Sequence, residues 1–148
     1  MAPEDAESLF REKFRLHELT IHERDDWTLS VRPGQPVLGS LVLSTRSGAL
    51  SFATLPPGSG AVMVDLMGQA ETAAKELFGS VRINALCLMM ADPLFHFHLL
   101  PRYGAELELA GKRWTDSGWP GPPTLADNQA TDDDLAEIIR AYAAFPWQ

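Results

Sequence analysis

The segment 94–103, LFHFHLLPRY, places two of the chain's four histidines two residues apart inside an apolar run. Successive side chains of a β-strand point to opposite faces of the sheet, so His96 and His98 share one face while Phe95 and Phe97 share the other. This alternation predicts a strand whose phenylalanines enter the core and whose histidines face outward. Imidazole has an ordinary pKa of roughly 6.5, so at neutral pH it acts as a base, a nucleophile or a metal ligand. The histidine pair is therefore the leading candidate for a functional site.

Size and charge limit the classes of function. A chain of 148 residues with 45% hydrophobic residues suffices for one globular domain. The net charge of -8 argues against general binding to nucleic acid or to an anionic membrane, because polyanions are repelled, whereas a small phosphorylated ligand remains compatible. The single cysteine indicates a reducing compartment, and no secretory leader or membrane-spanning run is visible. A cytoplasmic location is expected.

Hydrophobic periodicity in the first half of the chain predicts both helix and strand. Residues 4–14 have helical spacing and predict a short N-terminal helix. Residues 17–44 contain three strand-like runs, LTIHE, WTLSV and VLGSLVLS, which predict an antiparallel meander. Residues 46–57 are irregular or form a short strand. A longer helix is then expected, capped by Ser59 and ended by Gly79.

The second half predicts further strands and a last helix. The runs 81–90 and 94–103 are joined by Ala91–Pro93, a link that fits only a hairpin. The run AELELAGKRW predicts a second hairpin or a flap. The domain is expected to span residues 1–116, with a Pro/Gly-rich connector and a C-terminal helix (117–148) packed on it. Thr131 caps that helix, and the three aspartates that follow Thr131 are more simply a helix start than a metal site.

At LFHFHLLPRY the chain resembles the histidine-triad (HIT) superfamily, whose motif alternates three histidines with apolar residues and often continues into Pro-Arg. The upstream order is similar too. VLGSLVLSTR resembles a family strand that begins with Pro-Gly-His or a close variant, and a helix, a strand with Asn84 and the triad strand follow. The resemblance implies an α+β, HIT-like fold in which about five antiparallel strands carry a packed helix, with a short N-terminal helix and a C-terminal helix added.

The resemblance also implies a chemistry. In family members the middle histidine attacks the α-phosphorus of a nucleotide, and water or another acceptor resolves the nucleotidyl-imidazole. That position is His96 here, and a backbone carbonyl orients the equivalent ring in relatives. His98, at the third position, would donate to a phosphate or leaving-group oxygen. A nucleotide or other small phosphorylated ligand, a homodimer and no cofactor are implied.

The chain departs from the family pattern at several positions. Leu94 replaces the first triad histidine, and Ser40 stands where many relatives carry a histidine after the glycine. Arg32 stands where relatives place the aspartate or asparagine that holds the ribose hydroxyls. Arginine cannot accept a hydrogen bond, but its forked donors suit phosphate or carboxylate. Substrate preference is therefore expected to differ from that for an ordinary nucleoside.

Three more polar residues are candidates for ligand contacts, and two of them, Asn84 and Arg102, join the predicted ligand-binding set. The link at Ala91–Pro93 is much shorter than the loop that delivers a further glutamine or serine in several branches, and Asn84 and Asp92 are the candidates to replace that residue. Arg102 matches the family's Pro-Arg step, where it either neutralises an anionic ligand or pairs with acidic groups. The structural role is favoured for a strand-end arginine. The predicted ligand-binding residues are Ser40, Asn84, Arg32 and Arg102.

The sequence is compatible with four hypotheses about the function of the histidine pair. The first is a nucleotidyl hydrolase or transferase acting on a phosphoanhydride or phosphoramidate, with His96 as nucleophile. The second is a nucleotide- or phosphate-binding module with little or no turnover. A metal site of His96 and His98 with His17 or His22 is disfavoured, because no carboxylates stand at a recognisable spacing, and no metal is expected. A solvated sheet face that merely carries histidines is the simplest alternative, and the order of elements argues against it.

Overall fold

Helices and strands alternate along the chain, of which this computed structural model describes residues 2–125 and 130–148. The helices are α1 (Pro3–Lys13), α2 (Leu16–Leu19), α3 (Ser59–Phe78) and α4 (Asp132–Ala143), with a 3₁₀ turn at Phe52–Thr54. The strands are β1 (Thr20–Arg24), β2 (Trp27–Val31), β3 (Leu41–Thr45), β4 (Arg82–Leu86), β5 (His96–Arg102), β6 (Leu107–Leu109) and β7 (Lys112–Trp114).

The first five strands form one antiparallel sheet in the order β1-β2-β3-β5-β4. β1, β2 and β3 are the predicted meander, and β5 lies between β3 and β4. β6 and β7 pair separately as the predicted second hairpin, whose turn at Ala110 and Gly111 has positive φ at both residues. The predicted α+β class, with about five antiparallel strands, is confirmed.

The main core lies on the side of the sheet that carries α3. Alternate strand residues such as Leu29, Leu43 and Leu99 share one buried cluster with Leu66 and Ala70 of α3. α4 adds its apolar stripe to the same cluster, and Thr131 begins α4 with a capping box, as the sequence predicted. Residues 126–129 of the connector lie outside the described residues, and the division at residue 116 stays a prediction. None of the described helices is both long and apolar enough to cross a bilayer.

The third strand of the meander is shorter than predicted. VLGSLVLS was expected to be strand throughout, but β3 begins at Leu41. The amide of buried Gln35 closes the preceding loop: its Nε2 donates to the carbonyls of Arg32 (2.7 Å) and Ser40 (3.0 Å), and its Oε1 accepts from the amides of Gly39 (2.9 Å) and Ser40 (3.0 Å). Gly39 has φ +81°, which a strand cannot accommodate. One side chain therefore makes four of the hydrogen bonds to the backbone of this loop, alongside the bond from the Arg32 amide to the Ser40 carbonyl.

Two further local predictions were wrong. β4 and β5 do pair in antiparallel fashion, but the connection spans residues 87–95 rather than 91–93. The backbone of Phe95 bonds residues at and beyond the end of β3 instead of β4. Its carbonyl accepts from the Thr45 amide (3.0 Å), and its amide donates to the Ala49 carbonyl (2.9 Å). Ser59 is the first residue of α3 rather than its cap, because its hydroxyl donates back to the Pro56 carbonyl at 2.8 Å.

Candidate active site

The two histidines lie side by side on β5, in the middle of the sheet. β3 flanks them, with Ser44 opposite His96 and Val42 opposite His98. The imidazole centroids are 5.0 Å apart. Phe95 belongs to the main core on the other side of the sheet. The alternation predicted from LFHFHLLPRY therefore places both imidazoles on one face.

His96 is fixed by a backbone carbonyl. Its Nδ1 lies 2.6 Å from the carbonyl oxygen of Leu94, and because that oxygen can only accept, Nδ1 carries the hydrogen. The lone pair then lies on Nε2. Burial lowers the pKa of His96 below its ordinary value, against the smaller raising effects of the Leu94 bond and the Asp92 charge. At neutral pH the ring is an uncharged imidazole with one nitrogen free to attack an electrophile.

His98 has the opposite tautomer. The guanidinium of Arg32 donates from Nε to His98 Nδ1 at 3.3 Å, and because guanidinium can only donate, Nδ1 is the acceptor and Nε2 carries the hydrogen. Burial above all, and then the neighbouring His96 and Arg32, lower the pKa of His98 to about 4. The neutral pair thus presents one nitrogen lone pair, on His96, and one N–H donor, on His98.

An N-terminal helix covers this pair. The Phe10 ring lies 4.9 Å from the His96 ring and the Phe14 ring 5.9 Å from it, and the two phenylalanines stack at 4.4 Å. His96 is only 2% exposed whereas His98 is partly exposed, so the prediction that the histidines face outward was wrong for His96. The amphipathic stripe of α1 needs an apolar partner, and it finds one in Leu94 and Val42 beside the histidines.

An ion pair joins the C-terminal end of α1 to the loop before β5. Lys13 Nζ lies 2.8 and 2.9 Å from the two carboxylate oxygens of Asp92. Asp92, which the sequence offered as a substitute polar residue for the site, is therefore paired with the helix that covers the histidines. Its charge still acts on both imidazoles and partly offsets the lowering of their pKa values.

The structure brings Arg32 to the histidines and leaves Ser40 in the loop behind them. Arg32 spans from His98 to the carbonyl of Gly34, to which its Nη1 donates at 2.7 Å. Ser40 is fully buried, and its hydroxyl donates to the Val37 carbonyl at 2.7 Å. The Ser40 hydroxyl therefore stabilises the loop that carries Arg32.

Asn84 and Arg102 belong to a separate network. Arg102 donates from Nε to Asp116 Oδ2 (2.7 Å), from Nη2 to Asp116 Oδ1 (3.2 Å) and to the Gly121 carbonyl (2.8 Å), and from Nη1 to Asn84 Oδ1 (2.8 Å). It lies six residues along β5 from His96, a distance of about 20 Å at the usual rise of a strand. The structure gives Arg102 the structural role that sequence reasoning favoured.

Sequence reasoning missed several residues that shape the site. Gln35 was not singled out, although a polar residue in a Pro/Gly-rich turn between strands is a reasonable candidate for closing a loop. Phe10 and Phe14 lie in the helix predicted for residues 4–14, but helical spacing does not indicate the surface on which they pack. No sequence pattern indicates the role of Asp116, because its contact with Arg102 depends on how the connector returns to the sheet.

No cluster of three or more His, Cys, Asp or Glu side chains suited to a metal ion occurs in residues 2–125 and 130–148. His22 lies on β1 and stacks on Trp147 with ring centroids 6.2 Å apart, and His17 is exposed on α2. Neither histidine completes a site with the pair on β5. The described residues give no support to the metal hypothesis.

Stability is expected to fall with acidification because of His98. Its pKa is about 4 in the folded protein and 6.5 in the unfolded chain, so between these values the unfolded state binds the proton and the native state does not. The free energy of unfolding should therefore decline as pH falls from 6.5 to about 4. Urea unfolding measures the free energy of unfolding at each pH in this range, and that free energy should depend less on pH in His98→Asn than in the wild type. An equal pH dependence in the two proteins would contradict the assignment.

Solved structures of histidine triad proteins share this architecture. One from Bradyrhizobium japonicum matches with a TM-score of 0.68 and 19% identity, over 90% of this chain and 95% of the other. One from Sinorhizobium meliloti gives 0.69 and 15%, over 88% and 93%. A hypothetical histidine triad nucleotide-binding protein from Sulfolobus tokodaii gives 0.66 and 8%, over 84% and 80%. Neither a scan against protein-family models nor a search of curated proteins finds a match. These likenesses confirm the fold expected from the sequence.

Proposed function

We propose that this chain, which has the histidine-triad fold, is a nucleotidyl hydrolase or transferase acting on a phosphoanhydride or phosphoramidate. The observation that carries this proposal is the pair of opposite tautomers. The Leu94 carbonyl leaves a lone pair on His96 Nε2, and the Arg32 guanidinium leaves an N–H on His98 Nε2. A nucleophile beside a hydrogen-bond donor is what attack on a phosphorus centre requires.

The reaction proceeds in two steps. His96 Nε2 attacks the α-phosphorus, a P–N bond forms, and the P–O or P–N bond to the leaving group breaks. The Leu94 carbonyl accepts from Nδ1–H while positive charge develops on the ring, and His98 donates to a phosphate oxygen or to the departing atom. Water or another acceptor then attacks the phosphorus of the nucleotidyl-imidazole, a P–O bond forms and the P–N bond breaks; the attacking group loses its proton to His98 where His98 has protonated the leaving group, and otherwise to solvent, and neutral His96 is restored. Arg32, beside His98, lies where it can interact with an anionic substrate.

Trapping the covalent intermediate tests this proposal. The protein is incubated with nucleoside phosphoramidates and dinucleoside polyphosphates, and the reaction is quenched in alkali, where phosphoramidate bonds to histidine persist. Peptide mass spectrometry should find a nucleotide added to the peptide that contains His96. The adduct should be lost in His96→Asn and kept in His17→Asn, which changes an exposed histidine on α2. Absence of both adduct and turnover across the panel would argue against an enzyme.

A specific observation favours a second candidate function. Phe10 and Phe14 lie over His96, and Leu94 replaces a triad histidine, so the chain also fits a nucleotide- or phosphate-binding module with little turnover. This candidate predicts micromolar binding of AMP in calorimetry without hydrolysis of any member of the panel. Turnover at rates normal for an enzyme, on the order of 1 per second or more, would remove it.

The proposal extends to assembly and location. The ligand is a nucleotide or other small phosphorylated molecule, and the protein acts as a cytoplasmic homodimer. β4 supports the dimer, because it is the outermost strand of the sheet on its side and offers an unpaired backbone edge among the described residues. Val81, next to that strand, is more than half exposed.

A further inference from the structure

The surface under α1 contains a polar row beside the apolar Leu94 and Val42 on which the helix packs. Register places Thr28, Ser44 and His96 side by side across β2, β3 and β5, in one row on the face that carries the histidines. Phe10 and Phe14 lie over the His96 end of this row. The apolar helix face therefore meets hydroxyls and an imidazole as well as hydrocarbon.

Two hydroxyls of the row are buried without a hydrogen bond. Thr28 Oγ1 and Ser44 Oγ make none within the described part of the chain, and both residues are about 1% exposed. Buried polar groups in native proteins are nearly always bonded, so an exception calls for an explanation. The neighbours of Ser44 on the same face, Val42 and His96, are both covered by residues of α1. With α1 in place these hydroxyls have no partner; a polar ligand would supply one.

α1 is attached in a way that permits it to move. Its C-terminal end is held by the Lys13–Asp92 pair, whose lysine side chain is 55% exposed, and ion pairs of this kind contribute little to stability. Arg15, which separates α1 from α2, has φ +53° and ψ +45°, a left-handed conformation that is uncommon for a residue other than glycine. Beyond this junction α2 is anchored, because Leu16 and Leu19 are only 3% and 2% exposed. The junction is thus a hinge for a helix that is held mainly by the packing of Phe10 and Phe14, and this packing must come apart when the helix moves.

We propose that α1 is a lid and that the row Thr28–Ser44–His96 beneath it is a ligand-binding surface. The lid turns about Arg15 when the Lys13–Asp92 pair opens, and the two hydroxyls then donate hydrogen bonds to the oxygen atoms of a phosphorylated ligand. The lid does not depend on the proposed function, whereas the choice of a phosphorylated ligand rests on that function. The row lies next to the imidazole on which the proposed chemistry takes place, so lid opening would control access to it.

The lid is tested by the reactivity of His96 towards diethyl pyrocarbonate, located by peptide mass spectrometry. In the wild type His96 should react much more slowly than exposed His17. Lys13→Ala should raise the rate at His96 severalfold and leave His17 unchanged. The matched control is Arg11→Ala, which removes an exposed positive charge from the same helix without touching Asp92. High salt should accelerate His96 in the wild type as well, because it screens an exposed pair.

Two outcomes would overturn the lid. One is a His96 rate equal to that of His17 in the wild type, and the other is a rate unchanged by both Lys13→Ala and high salt. Unchanged circular dichroism and an unchanged His17 rate show that each variant is folded. If His96 becomes reactive but neither AMP nor inorganic phosphate binds any variant, the lid stands and the proposed function and ligand class fail.

The hydroxyls are tested by Thr28→Val and Ser44→Ala. Each change removes a buried polar atom that has no partner, so the denaturation midpoint should rise. Each should also weaken AMP binding about five- to tenfold, the size of one lost hydrogen bond. A purely structural hydroxyl would not raise stability and lower affinity together when it is removed. A lower midpoint, or unchanged affinity for AMP in a wild type that binds it, would overturn the proposed surface.

Discussion

Replacing His96 by asparagine is expected to lower turnover by at least about a thousandfold. The asparagine amide can still donate to the Leu94 carbonyl, which His96 Nδ1 meets at 2.6 Å, so local packing is largely kept. It has no nitrogen lone pair to attack phosphorus, because the amide nitrogen is delocalised. Water would then have to attack the substrate directly, without the covalent intermediate. The measurement is kcat on the best phosphoramidate or dinucleoside polyphosphate of the panel.

Two controls separate loss of the nucleophile from damage to the fold. His17→Asn should leave kcat unchanged, since His17 lies exposed on α2. His98→Asn should lower kcat by a smaller factor, about a hundredfold, because it removes a donor rather than the nucleophile. AMP affinity of His96→Asn should stay within a few-fold of the wild type. If this variant kept more than a tenth of the wild-type kcat, His96 would not be the nucleophile.

The order of elements along the chain and the sharing of one sheet face by His96 and His98 could be predicted from the sequence, because both depend on local patterns. Alternation in LFHFHLLPRY fixes which side chains share a face, and the order of elements agrees with the fold that the pattern resembles. Thr131 begins α4 and Gly79 ends α3 where capping rules place them. Each of these features needs only a few neighbouring residues.

The cover over the histidines could not be predicted in the same way. The spacing of Phe10 and Phe14 shows that α1 has an apolar side, but it does not say which surface that side meets. Residues separated by more than eighty positions meet here, and no local rule pairs α1 with the triad strand. The same holds for the tautomer of His98, which depends on where the Gln35-closed loop aims Arg32.

The candidate ligand set divides for a similar reason. The resemblance to the family predicts one ligand-binding set. The strand geometry separates its members, which are Arg32, Ser40, Asn84 and Arg102. His98 and Arg32 meet across the sheet, while Arg102 lies at the far end of β5. The residue that decides the role of Arg102 is Asp116, which the chain brings back only after the hairpin of β6 and β7. A motif match therefore located the strand correctly without giving the contacts of its last arginine.

Replacing Asp116 by alanine should lower the free energy of unfolding by about 3–5 kcal/mol. Its side chain is 1% exposed and that of Arg102 5%, so the variant would leave a guanidinium buried without its counter-charge. The amide of Tyr103, which donates to Asp116 Oδ2 at 3.2 Å, would lose its acceptor as well. Urea unfolding at neutral pH measures the change. A loss below about 1 kcal/mol, typical of exposed pairs, would contradict this assignment.

The double variant Arg102→Met, Asp116→Leu distinguishes a structural pair from a ligand-binding arginine. With neither charge left in the interior, much of the stability lost in Asp116→Ala should return. Glu106→Ala, which breaks the exposed pair with Arg113, is the matched control and should cost less than about 1 kcal/mol. Because the pair lies about 20 Å along β5 from His96, the folded double variant should keep wild-type AMP affinity. A clear loss of affinity in that variant would instead return Arg102 to the ligand-binding set that the Pro-Arg match predicted.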